Sequence, residues 1–588
     1  MQKPQVTPVV DPIYDPLALA APIGTSAGSA LRLCPGLRTV SYATTWHHLK
    51  GFPDFGICSF CFSKHIESSP LAHEFDAIVK TKGLCRFNVP RVTKSLWPEA
   101  QRTSSVAALR DYVSRRITIP ACTKKGGAVG ADGVKWFGLV GGELGMVACE
   151  ACHEDEVAGT SFAGRFEPLK QVQGASERWI CTISYEHVSR CLQIFSACDA
   201  WSEFVAAAGK RMALPDCSET MGSATSRNWY RPIRPTGDLD ICEACYLDSL
   251  ALTDLGEHFA ETGESFEQKL CMRICDLLLM NLSEALVVCR TKGLGIDAFL
   301  RAAGKIASSP RCYKKAGITD GRFYNFAGTS AANFGVCEGC HAGILEPHGV
   351  APLFGSEPKL IQGTAWCAFN PSVERFGGLV DHWLEAVETG AWPTYERWVS
   401  RFAALPTCPN FNMVAGRRWY GWDDLPMCPE CYETVAEGTQ LASSFELRDT
   451  SVEGERLCSA YSQHMRGRWA EAISAGDAAG LREFNKYRMS VYAQTVPRFK
   501  MLAQMQTMQN QLALSQMMLG LSLQHADAIS GWGGSSGYEY GNSSLGYHSS
   551  QYGVDSAKAF DEGRATMARA NGPIAEASYL KDVWQAVE

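Results

Sequence analysis

Cys-x-x-Cys occurs five times in the sequence, at Cys58/Cys61, Cys149/Cys152, Cys242/Cys245, Cys337/Cys340 and Cys428/Cys431, and successive copies are 91, 93, 95 and 91 residues apart. Two thiols at this spacing can hold a metal, cycle between dithiol and disulfide, or attach haem when a histidine follows. Two copies carry that histidine, His153 and His341. The repeat sorts these chemistries. The residue after the second cysteine is Phe62, His153, Tyr246, His341 and Tyr432 in the five copies, so histidine is one variant of an aromatic position, which disfavours haem.

Each pair is also preceded by a single cysteine (Cys34, Cys122, Cys217, Cys312, Cys408) and followed by another (Cys85, Cys181, Cys271, Cys367, Cys458), which groups 20 of the 24 cysteines into five sets of four. Four thiolates match the tetrahedral demand of structural zinc, with the Cys-x-x-Cys turn supplying two ligands and the outer cysteines closing the site. The expected cofactor is therefore Zn2+, about five ions, held by Cys34/58/61/85, Cys122/149/152/181, Cys217/242/245/271, Cys312/337/340/367 and Cys408/428/431/458. Redox pairing is the weaker reading, because each pair is half of a larger set. The outer cysteines could instead be small buried hydrophobes, but their recurrence in five copies argues against it. The unmatched Cys191, Cys198, Cys275 and Cys289 fall on predicted helices and read as core residues.

Other residues recur with the cysteines. An aromatic pair precedes each copy: Trp46-His47, Trp136-Phe137, Trp229-Tyr230, Phe323-Tyr324 and Trp419-Tyr420. A phenylalanine follows 14 residues after each second cysteine, at Phe75, Phe166, Phe259, Phe354 and Phe445. A helical signature comes next (Trp97-Pro-Glu-Ala100, Leu282-Ser-Glu-Ala285, Trp383-Leu-Glu-Ala386, Trp469-Ala-Glu-Ala472, and more weakly Ile194-Phe-Ser-Ala197), and then a second helix. The expected fold class is α+β: a tandem array of five zinc-stabilised modules of about 93 residues, each a small β/loop four-cysteine module followed by a helical hairpin. The expected divisions are a disordered leader 1–28; repeats 29–118, 119–213, 214–308, 309–404 and 405–496; a Met/Gln-rich helix 497–526; a disordered Gly/Ser/Tyr-rich linker 527–571; and an amphipathic C-terminal helix 572–588.

The segments "PDFGICSFCF" (53–62) and "GDLDICEACY" (237–246) resemble part of ZZ-type zinc fingers. The upstream Cys-x-x-Cys of those fingers is absent, so their second zinc and N-terminal-peptide pocket have no counterpart. "TTWHHLKGFPDFGICSFCF" and "LCSAYSQHMRGRWAEA" resemble a group of uncharacterised fungal cysteine-rich repeat proteins, often labelled as membrane proteins, over about residues 34 to 500. That resemblance implies no particular activity.

The bulk composition narrows the function classes. Hydrophobic residues make up 46% and charged residues 20%, enough to build several cores. The net charge of -7 argues against a nucleic-acid-coating surface. The proline-interrupted N-terminus does not read as a secretory signal, and the most apolar stretch, 274–289, carries Asp276, Asn281 and Glu284 and is too short for a membrane span. A reducing compartment, cytoplasmic or nuclear, is therefore expected.

No catalytic constellation stands out, and four thiolates leave zinc no open position for water, so the chain reads as a non-enzymatic intracellular scaffold for an unidentified protein partner. Two alternatives remain: nucleic-acid binding through exposed aromatic pairs, and a ubiquitin-ligase-like zinc protein. Met501, Met505, Met508, Leu512 and Leu519 trace a coiled-coil-like row that suits self-association or packing on the last repeat. The C-terminal helix, with Leu580, Val583, Trp584 and Val587 on one stripe, suits fold-back onto its own repeats, the favoured use, or docking into a partner.

Overall fold

A computed structural model describes residues 30–217, 228–237, 239–263, 274–312, 317–327, 331, 333–531, 540–542, 544–548 and 550–588. The expected leader 1–28 lies outside them. The chain mixes helix and strand and divides into two compact units, Met1–Ala404 and Leu405–Glu588.

Around each cysteine set the elements follow one order. The aromatic pair lies on the central strand of a three-stranded antiparallel sheet: Thr44–Leu49, Trp136–Leu139, Trp229–Pro232, Arg322–Tyr324 and Arg418–Trp422 in the five repeats. One neighbouring strand leads into the Cys-x-x-Cys turn, and the register sets Trp46 opposite Cys58, Trp136 opposite Cys149, Trp229 opposite Cys242 and Phe323 opposite Cys337. In the fifth repeat Tyr420 pairs with Met427, one residue before the cysteine. The other neighbour starts at or just after the repeated phenylalanine, as in Phe75–Lys80 and Phe166–Pro168.

These aromatics repeat because each small sheet has one buried face and needs large side chains to fill it. Trp46, Trp136, Trp229, Phe323 and Trp419 are all buried. Phe75 meets Trp97 edge-on at 6.1 Å and Phe445 meets Trp469 at 5.9 Å, which ties the sheet to the helical signature.

Helical pairs follow the sheets in the first unit: Trp97–Thr103 with Ala107–Arg116, Glu186–Ala197 with Trp201–Met212, Met280–Thr291 with Gly295–Ala307, and Phe376–Thr389 with Trp392–Phe402. The start of the first repeat reaches the hairpin loop of the fourth. Arg32 N–H donates to the Glu388 carbonyl at 2.6 Å, and the buried Glu388 carboxylate accepts from Arg38 and Tyr42. Gly390 closes that loop at φ +77°, and a Cβ there would lie 2.5 Å from the Arg32 guanidinium carbon, so both conformation and space require glycine.

The second unit departs from the sequence expectation. Helix Gln463–Ala475 is followed by a single helix, Ala479–Gly531, longer than the expected 497–526. The linker expected to be disordered over 527–571 contains a helix, Gln551–Asn571, that packs back on it. The cause is a row of small residues, Ser556, Ala559, Gly563, Thr566 and Ala570, in an alanine- and charge-rich segment that buries little apolar area yet lets two helix backbones come close. The terminal helix Ile574–Gln585 folds back in cis: Trp584 and Val587 pack with Leu457, Val491, Tyr492 and Val496, and Trp584 meets Tyr492 edge-on at 5.3 Å. Arg488, fully buried, pairs with Glu588 and lies over the Trp584 ring.

Candidate metal centres

In four repeats the strand ends at the first cysteine of the pair, and in the fifth at Met427 just before it; that cysteine takes extended backbone (Cys58 φ -68°, ψ 153°) before the chain turns into helix, bringing the two thiols to one side of a single turn. A wide turn follows, closed by a hydrogen bond from the residue five positions on: Glu67 N–H to Phe62 O, Ala158 to His153, Ala251 to Tyr246 and Glu437 to Tyr432, each at 2.9 Å. Such π-type turns are rare and cluster at functional sites.

This turn settles what the residue after each second cysteine does. Its ring lies flat on the second aromatic of the central strand: His47 on Phe62 at 3.6 Å, Phe137 on His153 at 3.9 Å, Tyr230 on Tyr246 at 3.8 Å, Tyr324 on His341 at 3.8 Å and Tyr420 on Tyr432 at 3.9 Å. The two histidines of the Cys-x-x-Cys-His matches are therefore packing rings.

The structure gathers five sets of four cysteines, with all sulfurs of a set within 4.8 Å of one another: Cys34/58/61/85, Cys122/149/152/181, Cys217/242/245/275, Cys312/337/340/367 and Cys408/428/431/458. Four ligands at 2.3 Å in a tetrahedron would place their sulfurs about 3.8 Å apart. Cys61 and Cys85 sulfurs are 3.8 Å apart, and those of Cys408 and Cys431 3.6 Å.

Backbone amides converge on these sulfurs as donors. The first cysteine of each pair gives its N–H to the last cysteine of its set: Cys58 to Cys85 at 3.5 Å, Cys149 to Cys181 at 3.3 Å, Cys242 to Cys275, Cys337 to Cys367 and Cys428 to Cys458 at 3.4 Å. Gly36 and Lys124 amides donate to Cys34 and Cys122 at 3.3 Å. Donors of this kind favour the thiolate. Within each set hydrogen bonds from the other three draw one thiol well below its usual range (Cys85, Cys122, Cys242, Cys337 and Cys408), while the same bonds and burial raise Cys181, Cys275, Cys367 and Cys458. The donor set, its spacing and its amide support suit a structural metal ion.

The third set corrects one expected ligand. Cys275, read from sequence as a core residue, occupies the fourth corner, and Cys271 lies outside the described residues. Cys271 is the first cysteine after the third pair, with Cys275 four residues further on. A better signal was the apolar residue two positions after the fourth ligand: Phe87, Ile183, Leu277, Phe369 and Ala460, where Cys271 would give Arg273. That residue caps the core beside the site, and most of these are fully buried. Of the other unmatched cysteines, Cys191 and Cys289 are buried as expected, and Cys198 is exposed at a helix end.

Sequence reasoning also missed the residues that clamp two of the turns from the preceding repeat. Arg116 gives its Nε to Asp155 Oδ1 at 2.7 Å and Nη2 to Oδ2 at 2.9 Å, while Tyr112 donates to the same carboxylate at 2.6 Å. Arg211 holds Asp248 in the same two-pronged way, both bonds at 2.9 Å. Burial draws the Arg116 and Arg211 guanidiniums down, but their bonds to the aspartates outweigh it and leave both raised. Each arginine stands six residues before the first cysteine of a set and each aspartate three after the Cys-x-x-Cys, a spacing visible in the sequence once the pair is known.

No helix among the described residues is long and apolar enough to cross a membrane. Comparison with protein-family models, curated proteins and solved structures gives no match.

Proposed function

We propose that this chain is a zinc-binding repeat protein in which each set of four thiolates holds one structural Zn2+ and the resulting array of modules serves as an intracellular scaffold for a protein partner. The observation that carries the metal reading is that all five sets bring four sulfurs within 4.8 Å, with no histidine, carboxylate or open corner in any of them. An all-sulfur tetrahedral set selects soft, borderline ions, and among these zinc needs no redox partner. A saturated ion orders chain and does not activate water, which favours a binding role over catalysis. The strand aromatics on which the nucleic-acid alternative depends have their large rings buried in the repeat cores, which favours protein over nucleic acid as the partner.

The deciding measurement is metal content by mass spectrometry of protein purified without added metal. About five zinc ions per chain are expected, and a reproducible count of two or fewer overturns the reading. Affinity purification with a metal-loaded chain, against the same chain stripped by chelator, then tests the scaffold role: partners retained equally by both would sink it.

A further inference from the structure

We infer that two copies of this chain associate through the Met/Leu face of the helix Ala479–Gly531. Its sequence offers Met501, Met505, Met508, Leu512 and Leu519 as the apolar row, yet the hairpin with Gln551–Asn571 uses the row one residue further on. Leu502, Ala513 and Gly520 are buried there, with Gln506, Gln509, Gln516 and Leu523 half-buried between them. Small residues make that choice possible. A Cβ on Gly563 would lie 2.9 Å from Met517 Cγ and 3.2 Å from the Ala513 carbonyl oxygen, and one on Gly520 3.1 Å from the Phe560 ring. Polar bonds complete the seam, from Ser556 Oγ to the Gly520 carbonyl at 2.8 Å and from Thr566 Oγ1 to Gln516 Oε1 at 3.0 Å.

The helix therefore buries its small and polar row and leaves apolar residues in solvent on both flanks, Met508, Leu512 and Leu519 on one and Leu514, Met518 and Leu521 on the other, of which the first follows the heptad steps. An exposed apolar row, here interrupted at Ser515, is unfavourable in water unless something covers it. The row favours an identical copy. Its steps of four, three, four and seven residues are those of a heptad seam, so the same row on a second helix can interdigitate with it over roughly 27 Å. Residues 501–526 contain no Asp, Glu, Lys or Arg, so identical faces meet without like-charge repulsion, and a charged groove on another protein would find nothing to pair with. The outcome is a two-fold pairing in which each copy presents the same patch.

Sedimentation equilibrium of the full chain at micromolar concentration reads this directly. The expected mass is twice the 64.2 kDa of one chain. Met508→Glu with Leu512→Glu should halve it, while Leu514→Glu with Met518→Glu, on the opposite flank of the same helix, should leave it doubled. Circular dichroism monitors the helix. If the glutamates cost helix, Met508→Gln with Leu512→Gln, close in helix propensity, provides the same reading. A wild-type chain that stays at one mass, equal loss from both double variants, or a monomer that instead floats with phosphatidylcholine vesicles would each overturn the inference, the last by assigning the face to lipid.

Discussion

The first two junctions between repeats and the third solve one docking problem with different chemistry. In all three, the end of one repeat's second helix meets the wide turn after the next repeat's Cys-x-x-Cys. At the first two the meeting residues are Arg116 with Asp155 and Arg211 with Asp248, nearly dry two-pronged ion pairs. At the third, the residue six before the cysteine is Ile306 and the residue three after the Cys-x-x-Cys is Gly343, whose missing Cβ would lie 2.4 Å from the Asn281 carbonyl oxygen and 2.9 Å from Ile306 Cδ1. Charged side chains lie at its margins, where Lys305 reaches Glu346 at 2.8 Å and His348 meets Glu284 at 2.9 Å. A buried pair demands one partner in one geometry, whereas an apolar contact demands close approach. Mixing the two makes the third junction chemically distinct from the first two.

The comparison presupposes that the metal sites make the turns, and removing a ligand should have the largest effect. Structural zinc contributes on the order of 10–16 kcal/mol in isolated finger peptides. Cys275→Ser should lose one metal of five and hydrogen-exchange protection around Trp229 and Phe259, while Cys271→Ser should keep five metals and full protection. The reverse result would restore the ligand first read from the sequence. Because the first repeat also touches the hairpin loop of the fourth, protection should fall on both sides of the third repeat and not fade evenly with distance.

Next in size is the charge junction. Asp248→Ala removes the two-pronged partner of the buried Arg211, leaving it Asp216 alone at 2.9 Å, and should cost about 3 kcal/mol. Combining Arg211→Ile with Asp248→Gly, the residues of the third junction, should recover at least half of that in denaturant unfolding. Failure of the double variant to improve on the single would show that the two junctions are not interchangeable solutions.

At the third junction, Gly343→Ala should cost about 1–3 kcal/mol through overpacking. Ser249→Ala, one position further along the wide turn of the third repeat, should cost less. Equal losses would mean that close approach is not what the third junction needs.

A further effect is a pH dependence carried by a buried carboxyl at the first junction. Burial lifts the Glu156 carboxyl from 4.5 to about 7, and the corresponding residues at the later junctions are Ser249 and Ile344. Between those two pH values the folded chain keeps a proton that the unfolded chain has released, so this group's contribution falls as pH rises through the window and is lost above about 7. Glu156→Gln should flatten the decline in melting temperature between pH 5 and 8. An unchanged slope would place the titration elsewhere.

Much of the metal-site chemistry was legible because it repeats. Cysteine spacing, the aromatic pair and the phenylalanine 14 residues on recur in five copies, and the forces behind them are local: a tight turn for two thiols, one buried sheet face and one stacked ring. Nineteen of the 20 expected ligands sit in the observed sets; the exception, Cys271, is the nearer of two cysteines that follow the pair, and the local cue, an apolar residue two positions on, singles out Cys275. Tertiary structure alone decided which residues of different repeats meet. Asp155 and Asp248 look like solvated helix-end charges until an arginine arrives from another repeat, and Gly343 looks like a weak point until Asn281 and Ile306 are seen against it. The C-terminal hairpin shows the same limit most sharply. Hydrophobic periodicity favoured the methionine row, but two helices can come closest along glycine, alanine and serine, and backbone proximity chose the face that composition had marked as featureless.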